Sequence, residues 1–133
     1  MSRMLPDWEN RLSETIAQWQ ARPFRWDRDC ARWMAAFVIA QTGEDPLADL
    51  RGQYSTKREA LKLLAKKPMA ERLDEVFPRI HPAFAQRGDI ALVQESCLGC
   101  VLGEDALFFF AEGGMTTVPR AQWDGVWGVG RDG

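Results

Sequence analysis

Cys30 is the residue whose type and position best fit nucleophilic chemistry. It begins an apolar stripe that continues through Trp33, Met34, Phe37 and Val38 at the spacing of one buried helical face. A cysteine in the first turn of a helix lies at the positive end of the macrodipole, which favours thiolate over thiol. The sequence therefore predicts a nucleophile at Cys30. Because free cysteine is also among the most buried residue types, a purely structural thiol is the alternative.

Residues around this stripe predict where its helix begins and ends. Asp27 or Asp29 can accept hydrogen bonds from the first free N–H groups, and Gly43 follows an end at Gln41 or Thr42. The oxyanion hole of a cysteine hydrolase is usually built from backbone N–H groups at such a helix start. One helix could therefore supply both the thiol and these donors.

A cysteine hydrolase also needs a base, and the only histidine in the sequence is His81. It lies in the string Arg79-Ile80-His81-Pro82, ahead of the predicted strands. If His81 reached Cys30 from that loop, it would be a relocated base. A lone histidine in a loop is more often a surface residue, and both interpretations stay open at this point.

One enzyme family is typified by two short strings in a fixed order. The matching strings here are Asp29-Cys30, before an apolar helix, and later Arg87-Gly88-Asp89-Ile90-Ala91-Leu92-Val93. They resemble the NlpC-type cell-wall cysteine peptidases of the papain-like superfamily. The next strand of that family begins with His-hydrophobic-Gly-hydrophobic, and the matching string here is Cys97-Leu98-Gly99-Cys100-Val101. The resemblance thus implies that Cys97 stands in the position of the base histidine. It also implies that the third polar position is lost, within Phe108-Phe109-Phe110-Ala111.

Three further strings resemble a phage and prophage branch of these proteins, which is commonly encoded among tail genes. They are Pro23-Phe24-Arg25-Trp26, Thr42-Gly43-Glu44-Asp45-Pro46 and Leu50-Arg51-Gly52-Gln53-Tyr54. The resemblance implies a tail-tip virion component with degenerate catalysis. Because the first seven residues lack the apolar core of a signal peptide, we expect it to be made in the bacterial cytoplasm. Its partners would be other phage tail proteins, such as hub or tail-tip subunits. The alternative is an active peptidoglycan endopeptidase or amidase that uses Cys30 to open the host cell wall and binds a peptidoglycan peptide.

The other two cysteines bear on metal binding and oxidation. Cys30, Cys97, Cys100 and His81 add up to a Cys₃His set, but cysteines three apart on a strand point to opposite faces unless a bulge intervenes. We therefore predict no metal site and no cofactor. Because the resemblance places Cys97 opposite Cys30, it also implies that the two thiols could oxidise to a disulfide outside the cytoplasm.

Length and composition limit the class of protein. The 133 residues fit a single domain, with a mostly helical half at 1–78 and a β-sheet half at 79–133. With 46% hydrophobic residues and a formal net charge of −2, the chain is globular and has no overall attraction to nucleic acid. No apolar run could cross a bilayer, and the first residues lack the apolar core of a signal peptide. We expect neither nucleic-acid binding nor membrane insertion.

Hydrophobic spacing predicts an α+β fold in which N-terminal helices pack on a five-stranded antiparallel sheet or partial barrel, of papain-like NlpC type by resemblance. Besides the Cys30 helix, helices are predicted after Pro6, after the capping box Thr56 and Glu59, and after Pro68. In the helix after the capping box, Ala60, Leu61, Leu63 and Leu64 are predicted to face inward. The strands are expected at residues 90–93, 98–102, 107–110, 115–118 and 126–129.

The six tryptophans are a further signal of packing or docking. Core packing is the expected role of Trp8, Trp19 and Trp33. Any of Trp26, Trp123 and Trp127 that is exposed would suit a contact with another protein, because tryptophan is enriched among interface anchors.

Overall fold

The structure, a computed structural model, describes residues 3–26 and 28–130. Within these residues four α-helices precede all six strands of the sheet, which confirms the predicted α+β class. Asp27, one of the two predicted helix caps, lies outside the described residues. The helices are α1 (Trp8–Gln20), α2 (Cys30–Thr42), α3 (Lys57–Lys66) and α4 (Met69–Val76). The strands are β1 (Arg79–Ile80), β2 (Ile90–Val93), β3 (Cys97–Val101), β4 (Asp105–Phe110), β5 (Gly114–Pro119) and β6 (Gly125–Trp127).

Across the described ranges the strands form one antiparallel sheet of six strands, in the order β1-β6-β2-β3-β4-β5. The strand missing from the sequence prediction is β1, whose two residues are too few to show an alternating pattern. It pairs with β6 at one edge, and β5 forms the other edge. Because the two edge strands do not pair, the sheet is open, so the predicted antiparallel sheet describes it better than the alternative of a partial barrel, with six strands in place of five.

The central helix is α2, which packs on α1 on one side and on β3 and β4 on the other. Its predicted caps are confirmed. The Asp29 carboxylate accepts a hydrogen bond from the Arg32 N–H at 3.1 Å, and Gly43 ends the helix with a φ of 80°. The Trp33 indole donates a hydrogen bond to the Leu107 carbonyl at 3.0 Å and so ties the helix to β4. Cys30 is therefore the first residue of a helix that is fixed at both ends.

The two faces of the sheet bury different sets of side chains. Alternate residues of β3 show the division, because Leu98 and Cys100 belong to the cluster shared with the helices, whereas Cys97 and Val101 belong to a second cluster on the other face. Cys30 packs against both clusters. It therefore lies where the start of α2 reaches the end of the sheet.

Docking was predicted only for those late or flanking tryptophans that are exposed. Trp123 and Trp127 are 7% and 0% exposed, so the condition is not met for either of them. Their indole N–H groups donate to the Val118 carbonyl and the Asp74 carboxylate, respectively. Leu61, predicted to face inward, is 56% exposed on α3, which has no buried residue.

The described residues contain no helix with both the length and the apolar character needed to cross a membrane.

Candidate functional site

Cys30 opens onto a cleft with a volume of about 350 Å³, which we call the Cys30 cleft. Its walls are the start of α2, the segment between α2 and α3, parts of α3 and α4, the turn between β2 and β3, and the end of β4. Its lining is largely apolar and includes Trp26, Met34, Leu50 and Leu64. Cys30 is partly exposed in this cleft. A ligand in the cleft could therefore reach its sulfur.

The turn between β2 and β3 holds the Cys30 thiol. The thiol donates a hydrogen bond to the Ser96 carbonyl, with 3.3 Å between sulfur and oxygen. Gln94 and Glu95 in the same turn have φ values of 53° and 65°, a conformation that non-glycine residues rarely adopt. The Asp124 carboxylate accepts the Gln94 N–H at 3.1 Å and helps to hold the turn. Strained turns of this kind persist only where the surroundings fix them, so Ser96 is held against Cys30.

Cys97 follows Ser96 directly and is the first residue of β3. It lines the same cleft as Cys30 and is 8% exposed, and its thiol donates a hydrogen bond to the Phe109 carbonyl, with 3.8 Å between sulfur and oxygen. The neighbouring Cys30 thiol and the burial of the side chain raise the pKa of Cys97 well above the ordinary value for a cysteine. The thiol therefore stays protonated at neutral pH and cannot act as the base that a cysteine hydrolase requires.

Asp29 and Tyr54 form a buried hydrogen-bonded pair behind the start of α2. The Tyr54 hydroxyl donates to the second carboxylate oxygen of Asp29 at 2.8 Å. Burial, followed by the negative charge of Asp29, raises the pKa of Tyr54, so the hydroxyl remains a donor. The pair joins the segment after α2 to the helix start. The cap at Asp29 is predicted by its position before the apolar stripe, but no local pattern indicates its long-range contact with Tyr54.

Arg32 completes this network from the first turn of α2. Its guanidinium group lies over the Tyr54 ring, 4.3 Å from the centroid, and donates to the carbonyls of Trp26 and Tyr54 at 3.0 and 2.8 Å. One nitrogen also lies 3.5 Å from the Asp29 carboxylate. The segments on both sides of α2 are thereby held around the residue that carries the candidate nucleophile.

His81 does not reach this site. It is exposed, and its Nδ1 accepts a hydrogen bond from the Ala83 N–H at 3.0 Å at the start of the short 3₁₀ helix Pro82–Phe84. It directly follows β1, and three strand spacings of roughly 4.8 Å separate β1 from β3, or about 14 Å. The hypothesis of a relocated base is therefore not supported by the position of His81. The reason is the pairing of β1 with β6 at the sheet edge, which the sequence did not reveal.

The third cysteine, Cys100, is fully buried on the opposite face of the sheet from Cys97, as their odd separation predicts. Burial raises the pKa of Cys100 to about 12. Within residues 3–26 and 28–130, no three or more His, Cys, Asp and Glu side chains are grouped so that they could hold a metal ion.

The structure thus brings together Cys30 and Cys97, two of the predicted site residues, in an apolar cleft at the start of a capped helix. The chain belongs to the family described as "Domain of unknown function (DUF6950)", whose sequence profile matches residues 3–129. That range includes both cysteines and every strand of the sheet described above. A comparison with curated proteins found no match.

Proposed function

We propose that this protein is a virion component of a phage tail tip, built on a papain-like scaffold of the NlpC type whose catalysis is degenerate. The observation that carries the proposal is that Cys30 and the buried thiol of Cys97 line one end of the same cleft, with the Cys30 thiol bonded to the carbonyl of the residue before Cys97. An active enzyme of that type would hold an imidazole where Cys97 stands. The order of helices followed by an antiparallel sheet is compatible with such a scaffold.

The degenerate catalysis follows from acid–base chemistry. To activate Cys30, the facing group must accept its proton and later return it to the leaving group. Cys30 and burial raise the pKa of Cys97, so the Cys97 thiol stays protonated and cannot accept the proton of Cys30. Loss of the base from a catalytic triad typically lowers the rate by several orders of magnitude. The remaining function of the scaffold would be to bind.

The assignment to a phage tail is supported by the likeness of residues 23–26 and 42–54 to the tail-associated branch. Arg32 of α2 links the two segments, because its guanidinium group donates to the carbonyls of Trp26 and Tyr54. The partners in this proposal are hub or tail-tip subunits. The protein would be made in the host cytoplasm and carried in the virion.

A second candidate function is an active peptidoglycan endopeptidase or amidase. It is favoured by the partial exposure of Cys30 in a cleft of about 350 Å³, which is large enough to admit a short peptide segment. In this alternative Cys30 is the nucleophile and another group must supply the base.

Digestion of purified peptidoglycan separates the two functions. The wild type, Cys30→Ala and Cys100→Ala would be incubated with cell-wall sacculi, and released fragments would be measured by chromatography. We expect the wild type to release no more than Cys30→Ala, because Cys97 cannot serve as a base. The matched control is Cys100→Ala, since that thiol lies on the other face of the sheet. Release that is abolished by Cys30→Ala and retained by Cys100→Ala would establish the peptidase instead.

The tail assignment has its own test in purified phage particles. Virions induced from a lysogen that carries the gene would be separated into heads and tails and analysed by mass spectrometry. We expect peptides of this chain in the tail fraction at a fixed ratio to the tail proteins. Their absence from intact virions would contradict the assignment, whatever the result of the peptidoglycan digestion.

A further inference from the structure

Two thiols that are 67 positions apart in the sequence meet at one end of the Cys30 cleft, and they differ in exposure. Cys30 is partly exposed and Cys97 is buried behind it. The hydrogen bond from the Cys30 thiol to the carbonyl of Ser96, the residue before Cys97, fixes the two cysteines relative to each other. All three cysteines lie in the described part of the chain and are free. An accessible thiol beside a buried one is the arrangement of an attacking and a resolving cysteine.

We propose that Cys30 and Cys97 form a redox-active dithiol that reacts with small disulfides of the glutathione class entering through the Cys30 cleft. This inference does not depend on the proposed tail function, and it holds for an active or a degenerate scaffold. Cys30 is the attacking thiol because its sulfur is the one that a ligand can reach. Cys97 is the resolving thiol because it is buried and adjacent.

The reaction balances in two exchange steps. The Cys30 thiolate forms a bond to one sulfur of glutathione disulfide, and the sulfur–sulfur bond of that molecule breaks to release one glutathione thiolate. Cys97 then gives its proton to the released thiolate and attacks the Cys30 sulfur, and the bond from that sulfur to the second glutathione breaks. The second glutathione leaves as a thiolate and takes up from water the proton that Cys30 had lost. Two protein thiols are oxidised to one disulfide, and one glutathione disulfide is reduced to two glutathione molecules.

The structure contains a reason for the second step to follow the first. The two thiols line the same end of the cleft, and the neighbouring Cys30 thiol is the largest cause of the raised pKa of Cys97. Once the Cys30 sulfur is part of a mixed disulfide, that cause is removed and Cys97 ionises more readily. The attack by Cys30 therefore activates the thiol that resolves it.

The product would join the start of α2 to the start of β3 across the end of the cleft. Such a cross-link restricts the unfolded chain, and for a loop of this length it would raise the melting temperature by about 15 °C in a protein of this size. Oxidation would also remove the free Cys30 nucleophile from the cleft.

The test uses the full-length reduced protein with glutathione disulfide as the probe. Thermal melting would first show which variants are folded. The folded proteins would then be incubated with the probe, quenched with acid and mapped by mass spectrometry. The set comprises wild type, Cys100→Ala, Cys30→Ala, Cys97→Ala and Cys97→Ser. We expect the wild type and Cys100→Ala to form a disulfide between Cys30 and Cys97 and to retain no glutathione. The two Cys97 variants should stop with one glutathione on Cys30, and Cys30→Ala should stay unmodified.

Thermal melting of the oxidised samples gives a second readout, with a rise of about 15 °C expected only in wild type and Cys100→Ala. Three free thiols in the treated wild type would overturn the proposal. A wild type that retains glutathione on Cys30, or a reaction that begins at Cys97 in the Cys30→Ala variant, would do the same. Two Cys97 substitutions are included so that a folding defect in one of them leaves the assignment of the resolving thiol testable.

Discussion

Replacement of Asp29 by alanine is expected to lower the free energy of unfolding by about 2–4 kcal/mol. The carboxylate caps α2 through the Arg32 N–H and accepts the buried Tyr54 hydroxyl. Loss of an N-cap typically costs about 1 kcal/mol, and a buried hydroxyl left without a partner costs about 1–3 kcal/mol. The large effect is expected because one buried side chain serves both purposes. Urea unfolding followed by circular dichroism would measure it.

Asp7→Ala is the matched control for Asp29→Ala. Asp7 occupies the corresponding position before α1, but its side chain makes no capping hydrogen bond. Its replacement should change stability by no more than about 0.5 kcal/mol. If Asp29→Ala cost no more than Asp7→Ala, the network described at the start of α2 would not contribute to stability.

The double variant Asp29→Ala with Tyr54→Phe isolates the buried hydroxyl. Removing that group relieves the unpaired donor left by Asp29→Ala, so the double variant should regain about 1–2 kcal/mol relative to Asp29→Ala alone. Equal stabilities of the single and double variants would show that the Tyr54 hydroxyl finds another partner. The comparison therefore tests the hydrogen bond between Tyr54 and Asp29 rather than the side chains in general.

The parts of the fold that depend on patterns within a few neighbouring residues could be predicted from the sequence. The bounds of α2 follow from its apolar stripe, the acidic cap at Asp29 and the glycine at its end, all of which act within a few residues. The capping box of α3 is confirmed as well, because the Thr56 hydroxyl accepts the Glu59 N–H at 3.2 Å. The exposed Leu61 was missed because spacing alone does not say how much of a short amphipathic helix the rest of the protein covers.

The long-range parts of the site could not be predicted in the same way. Tyr54 lies in a segment without periodicity, and its contact with Asp29 spans 25 positions of the chain. The pairing of β1 with β6, which leaves His81 far from Cys30, involves too few residues to leave a pattern. The approach of Cys97 to Cys30 was expected only from the resemblance to NlpC-type peptidases. No spacing rule connects a helix start with a strand so far along the chain.

The contact between the two cysteines underlies both the proposed loss of catalysis and the proposed redox chemistry. If position 97 faces Cys30, an imidazole placed there should pair with the Cys30 thiolate, as in active cysteine hydrolases. The Cys97→His variant tests this geometry directly, because a positive imidazolium beside the sulfur favours its ionised form. The larger side chain has space on the side of the Cys30 cleft, which Cys97 lines.

The decisive measurement is the pH dependence of iodoacetamide alkylation at Cys30, followed by peptide mass spectrometry in wild type, Cys97→His and Cys97→Asn. Asparagine is similar in shape to histidine but does not ionise, so it controls for the loss of the thiol and for the change in volume. We predict that alkylation in Cys97→His persists to a pH about two units or more below that of Cys97→Asn. Coincident profiles for the two variants would show that position 97 does not face Cys30 and would contradict the account.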